Sequence, residues 1–139
     1  TESLRSSAYI YNLLNRIGDK RCALCGCPIQ EIVQGAHVWN VADIRHSNLQ
    51  DSEKFNAATN GNNGLWLCQN HHKLFDANII MIDHDGSLRI SDTLDDYDTA
   101  FIKEMTPERH LEKSILSDEF LQYLDLRNVS VDISHSVAI

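Results

Sequence analysis

The segment NGLWLCQNHHKLFD, residues 63–76, places one cysteine, two adjacent histidines and a carboxylate close together, and a second cysteine-bearing segment, RCALCGCPIQ, occupies residues 21–30. Cys22-x-x-Cys25 presents two thiolates from one turn, and Cys68-x-x-His71 adds a thiolate and an imidazole. The two pairs predict a tetrahedral Cys3His site of the kind that holds a structural Zn2+. Free thiols or a disulfide framework fit interleaved cysteines and histidines less well. Cys27 leaves one alternative open, because Cys25-x-Cys27 also offers two sulfurs; Cys22 and Cys25 are the favoured pair, with Cys27 a small apolar bystander.

Zinc at this site leaves His72 and Asp76 unused. Positions i and i+4 share a helix face, so the two converge on one point. They form either a surface contact or a mixed nitrogen and oxygen set for a second, more open cation such as Mg2+, Mn2+ or another divalent transition metal. His37, flanked by apolar Ala36 and Val38, and Asn63, at the start of the next apolar run, are two further polar groups able to face the same cleft.

Those groups need elements to hold them. Helical spacing of Tyr9, Leu13, Leu14 and Ile17, ended by Gly18-Asp19, predicts a helix over 4–17. EIVQGAHVW (31–39) reads as a strand, and 40–63 as a long polar connection. GLWL is a short strand and QNHHKLFDA a helix. Alternation on both sides of Asp85-Gly86 predicts a β-hairpin. Thr106-Pro107 reads as a helix start, Ser117 as another, and the closing NVSVDISHSVAI as a strand or a loose tail. The order predicts an α+β domain.

The 139 residues suffice for one domain, 1–139. It divides into a core over 16–91, a helical extension over 92–127 and a tail over 128–139. The absence of Met at position 1 reads as a processed product or a piece of a longer chain. No apolar run suits a membrane span or a secretory signal, which points to a soluble, cytoplasmic protein. Net charge is −8, and its distribution is uneven. Residues 1–76 carry seven Lys or Arg against seven Asp or Glu, whereas 77–139 carry five against thirteen. Tight, purely electrostatic binding to nucleic acid is therefore disfavoured, and only the neutral half suits an approach to phosphates. Arg45, His46, Lys54 and Lys73 are weak candidates for phosphate contacts. Trp39 and Trp66 read as core or cleft wall, and His84, His110 and His135 as surface residues.

CALC, AHVW, NGLWLC and HHKLFD, in that order and spacing, resemble the HNH, or ββα-metal, endonuclease superfamily over about residues 16–91. The subgroup that carries AH and HHxxFD is found in restriction and defence nucleases. The resemblance implies a treble-clef-like ββα-metal core with structural zinc, an N-terminal helix, a following hairpin and C-terminal helices. It further implies hydrolysis of DNA phosphodiesters to 3′-hydroxyl and 5′-phosphate ends. His37 would be the general base, Asn63 the residue that fixes the loop, His72 a ligand of the catalytic cation and Asp76 a further ligand. Ala36 departs from the pattern, since many members place a ligand there. The implied setting is the cleavage domain of a restriction or antiphage enzyme, acting as a possible homodimer with a DNA-recognition or sensor domain elsewhere in the parent chain. The alternative is a catalytically silent, zinc-stabilised module that binds nucleic acid or protein.

Overall fold

The computed structural model describes residues 4–139; Thr1–Ser3 of the expected single domain lie outside the described residues. Helix α1 (Ser7–Ile17) begins where the Ser6 hydroxyl accepts the Ala8 N–H, and it ends at Gly18, φ +80°, whose N–H bonds back to Leu14. Its buried face carries Tyr9 and Leu13. Strand β1 (Val33–His37) runs antiparallel to β2 (Gly64–Cys68), with Val33 opposite Cys68 and His37 opposite Gly64. Every residue of β2 is buried, as a short apolar run between two layers should be. The chain passes directly from β2 into α4 (Gln69–Asp76), which packs His71 and Phe75 inward. These two strands and one helix form the expected α+β core.

The segment between the strands departs from expectation. Residues 40–63 contain two helices, α2 (Val41–Arg45) and α3 (Asp51–Thr59). Asn40 caps the first by accepting the Asp43 N–H at 2.8 Å, and Gln50 and Glu53 form a capping box on the second. The polar residues that disguised this stretch as a loop are therefore its helix caps. Its apolar contribution comes chiefly from Ile44, Ala57 and Ala58, buried against Trp39. Small alanines carry little periodic signal.

Beyond α4, β3 (Ile80–Ile82) and β4 (Leu88–Ser91) pair as the hairpin expected around Asp85-Gly86. The tail is not loose. Strand β5 (Ser136–Ala138) pairs antiparallel with β4, so the chain's own end completes a three-stranded sheet. Thr106-Pro107 does not begin a helix. Instead α5 spans Asp96–Met105, started by the Asp95 side chain on the Asp98 N–H, and Thr106 is its C-cap. Pro107 lacks an N–H to continue the ladder, and the chain runs on without helix to a bridge between His110 and Ser87. Helix α6 (Asp118–Asn128) starts after Ser117 as expected and buries Phe120 and Leu124. The main core joins β1, β2, α4, the hairpin and α6 through Ala36, Leu65, Leu67, Phe75, Ile80, Ile90 and Phe120. Full burial of each large side chain in that set contributes about 2 kcal/mol. Among the described residues no helix is long and apolar enough to cross a membrane.

Gly64 shows how closely α1 approaches the sheet. A Cβ there would lie 1.7 Å from the Tyr9 hydroxyl and 2.7 Å from the Ala36 carbonyl. Gly64→Ala is therefore expected to displace Tyr9 and destabilise the domain by about 2 kcal/mol or more, measured by urea unfolding followed through the buried tryptophans.

Candidate active site and metal centre

The knuckle at 22–27 closes on itself. The Gly26 N–H bonds to the Cys22 carbonyl at 2.8 Å, the Cys22 N–H to the Cys27 carbonyl at 2.9 Å, and Gly26 takes φ +75°. A bond from the Ala23 N–H to the Trp66 carbonyl at 2.9 Å ties the knuckle to β2. Cys68 ends that strand, and His71 lies in the first turn of α4. One ligand atom from each of Cys22, Cys25, Cys68 and His71 falls within 4.8 Å of all the others. The separations are 3.9 Å between the Cys25 and Cys68 sulfurs, and 3.3 and 3.7 Å from His71 Nδ1 to Cys68 and Cys22. A tetrahedral zinc with ordinary bond lengths has edges of about 3.8 Å between sulfurs and about 3.5 Å between sulfur and nitrogen. The four side chains thus fit that ion.

Cys27 is not in the group; it packs beside the core and uses its carbonyl to close the knuckle. Burial first, and then the Cys22 and Cys68 sulfurs nearby, push the Cys25 thiol up to about 12, against a backbone hydrogen bond at Cys27 that lowers it. Three thiolates this close repel one another unless a cation sits among them. His71 is held from behind, because its Nε2–H donates to the buried Thr106 hydroxyl at 2.8 Å and Nδ1 is left for the metal. Thr106 is thus a working part of the centre that no local motif announced.

His71 points inward to the sulfurs, and His72, about 100° further round the helix, points outward. It lines a cleft of about 400 Å³ together with His37, Asp76, Tyr9, Gly35 and Asn40. Strand β1 and helix α4 therefore bring His37, His72 and Asp76 to one opening. The Gln34 side-chain amide oxygen, Oε1, accepts the His72 Nδ1–H at 2.7 Å. The His72 Nε2 lone pair then faces Asp76 Oδ2 at 3.4 Å. Two electron-pair donors meet there, at a separation long for a hydrogen bond and close to the roughly 3 Å between neighbouring ligands of an octahedral divalent cation. A cation between them would relieve the repulsion.

His37 stacks on Tyr9, with ring centroids 3.9 Å apart and planes 11° from parallel. The Ala58 carbonyl accepts from His37 Nε2–H at 2.7 Å, so Nδ1 carries the lone pair. Burial lowers the His37 pKa below the usual imidazole value, opposed by the Ala58 hydrogen bond and assisted by the nearby Arg5. Asn63 is fully buried, and its side chain accepts the Trp39 N–H at 2.8 Å while donating to the Trp39 and Ala57 carbonyls at 3.0 and 3.1 Å. Its own carbonyl accepts the Tyr9 hydroxyl at 2.8 Å. One side chain thereby joins the end of β1, the end of α3 and the start of β2.

The weaker sequence candidates lie elsewhere. Arg45 and Lys54 line a separate cleft of about 530 Å³ with Leu4 and Phe55, and Lys54 donates to the Arg45 carbonyl at 2.6 Å. His84 pairs with Asp125 and His135 with Asp132 on the surface, and His110 bonds the Asp85 and Leu111 carbonyls. Trp66 is core, and Trp39 is buried beside α2 and α3. Tyr9, Gln34 and Thr106 were missed as functional residues, because each acts through a partner distant in sequence.

Residues 22–83 match the family model described as HNH endonuclease. That stretch holds both halves of the Cys3His group, both strands of the first sheet, and α4, so the resemblance carried by the four motifs stands. The match points to a nuclease, of a family that acts on DNA with divalent metals. No curated protein matches the chain.

Zinc content should be one ion per chain, read by atomic emission. Thr106→Val is expected to weaken zinc retention about tenfold to a hundredfold while leaving the four ligands in place, measured by competition with a colorimetric chelator.

Proposed function

We propose that the chain is the cleavage domain of a metal-dependent DNA endonuclease, of the subgroup marked by AH and HHxxFD and working in restriction or antiphage defence. The observation that carries this reading is the convergence of His37, His72 and Asp76 on one cleft, with the His72 Nε2 lone pair facing a carboxylate. Nothing in a zinc scaffold requires that juxtaposition.

His37 is the general base. Its pKa lies below the usual imidazole value, so the ring is neutral at pH 7, and Nδ1 takes the proton of the attacking water. Tyr9 and the Ala58 carbonyl fix the ring, and Asn63 holds the end of α3, which carries Ala58, through the Ala57 carbonyl. His72 and Asp76 hold a divalent cation, Mg2+, Mn2+ or a transition metal, with Gln34 setting the His72 tautomer. When bound, that ion stabilises negative charge growing on the phosphate and the departing oxygen. The substrate is DNA, and the partners are a second copy of the domain and a recognition or sensor domain in the parent chain. Zinc is the ion of the Cys3His site.

A second reading, a silent zinc-stabilised binding module, is favoured by one observation. Ala36, where many relatives place a ligand, is fully buried and offers none. The two separate in a plasmid-nicking assay with Mg2+, Mn2+, Co2+ or Ni2+. His37→Ala is expected to lower the rate by roughly a hundredfold or more with zinc content intact. Nicking that survives this change overturns His37 as the base, whereas a wild-type chain that cuts nothing with any of these ions supports the silent module.

The pH profile offers an independent check. A base with a depressed pKa is protonated only in more acidic solution. Single-turnover nicking is expected to rise as pH climbs through a value below about 6.5 and to be level by neutrality. His37 also contributes stability that is present above its unfolded pKa and lost as pH falls through the folded one.

A further inference from the structure

Arg127 lies on α6, outside the segment that matches the endonuclease family, yet its side chain lines a neighbouring cleft of about 290 Å³ that shares Asn40, Val41 and Asp76 with the first. It is 5 % exposed, and among the described residues it forms no ion pair with a carboxylate. Burial lowers its pKa to about 10, with Asp76 and then Asp43 opposing the shift. The group is therefore a buried cation at neutral pH.

Its donors go to backbone and amide oxygens. One terminal nitrogen donates to the Val38 carbonyl at 3.1 Å; the other donates to the Phe75 carbonyl at 2.6 Å and to Asn78 Oδ1 at 3.0 Å. The guanidinium also lies over the Phe75 ring, 3.6 Å from its centroid. Val38 follows His37, and Phe75 precedes Asp76. One rigid planar group thus bonds the backbone beside the base and the backbone beside the cation ligands. A methionine would fill similar space without the cost of burying a charge. It could not fork two carbonyls, and a lysine lacks the planar geometry.

We propose that Arg127 is a positioning residue of the nuclease site, which sets the gap between His37 and the His72–Asp76 pair from the far side of the domain. The inference rests on the nuclease reading above. It explains why a charge is kept where packing alone would not need one, and it makes the C-terminal extension part of the active site's frame.

The test uses the full chain with Arg127→Lys, Arg127→Met and Arg127→Ala. Circular dichroism and zinc content verify the fold. Plasmid nicking at varied DNA and Mn2+ concentrations, and Mn2+ binding by calorimetry without DNA, read the site. Arg127→Met and Arg127→Lys are expected to retain zinc and to lose on the order of tenfold to a hundredfold in kcat, with KM for DNA within about twofold. Arg127→Met should bind Mn2+ about tenfold more weakly. Millimolar guanidinium should restore part of the rate of Arg127→Ala and leave the wild type unchanged.

An Arg127→Met chain that binds Mn2+ and nicks like an active wild type overturns the inference. So does a loss of activity that follows zinc loss and unfolding in all three variants, with no rescue. A wild-type chain that binds Mn2+ but cuts no DNA sinks the nuclease reading instead, and the calorimetric comparison then decides whether Arg127 positions the cation ligands.

Discussion

The Cys3His tetrahedron is the constraint from which the remaining geometry follows. Its four ligand atoms lie within 4.8 Å of one another although the two halves come from opposite ends of a long excursion containing β1, α2 and α3. Occupied by zinc, such a site contributes about 10 kcal/mol or more to folding, comparable with the net stability of a whole domain. It pins the knuckle to the exact point where β2 becomes α4. Once Cys68 and His71 are committed to it, the rotation of α4 is decided, and the next residue, His72, is turned away from the sulfurs and into the cleft.

Groups from both ends of the chain then wrap around this core. From the N-terminal side, α1 delivers Tyr9 as a stacking partner for His37 and as a donor to Asn63, and it delivers Arg16 to the Gly61 and Gly64 carbonyls. From the C-terminal side, Thr106 holds His71 and Arg127 holds the carbonyls of Val38 and Phe75. The Tyr9, Arg16 and Arg127 bonds are side-chain donors meeting backbone carbonyls. Buried carbonyls and imidazoles must be satisfied in some way. Here their satisfaction also orients the groups that face solvent.

Charge is divided in keeping with this arrangement. The excess of carboxylates falls in residues 77–139, while the half that supplies the cleft is balanced. A balanced surface gives little long-range attraction to a polyanion. For the proposed nuclease, recognition of a phosphodiester would then depend on short-range features of the cleft. On the proposed reading, the facing nitrogen and carboxylate of His72 and Asp76 are of that kind, since they would concentrate affinity for a small cation at one point.

Ligand types and spacing determined the metal centre, because Cys-x-x-Cys and Cys-x-x-His are local patterns that chelation chemistry makes meaningful at short range. The same held for β1, β2, α4 and the Asp85-Gly86 hairpin, whose apolar periodicity and turn residues act over a few positions. Reading failed at residues 40–63, where helix-capping side chains look like loop polarity, and at Thr106, where a good N-cap residue serves as a C-cap and as the partner of His71 in the Cys3His group. Only the tertiary structure decided which His72 nitrogen faces Asp76, that Tyr9 covers His37, that β5 closes the second sheet, and that Arg127 reaches back to the Val38 and Phe75 carbonyls. Those outcomes depend on contacts between residues tens of positions apart, whose energy exists only once the chain has folded, so no local pattern could encode them in readable form.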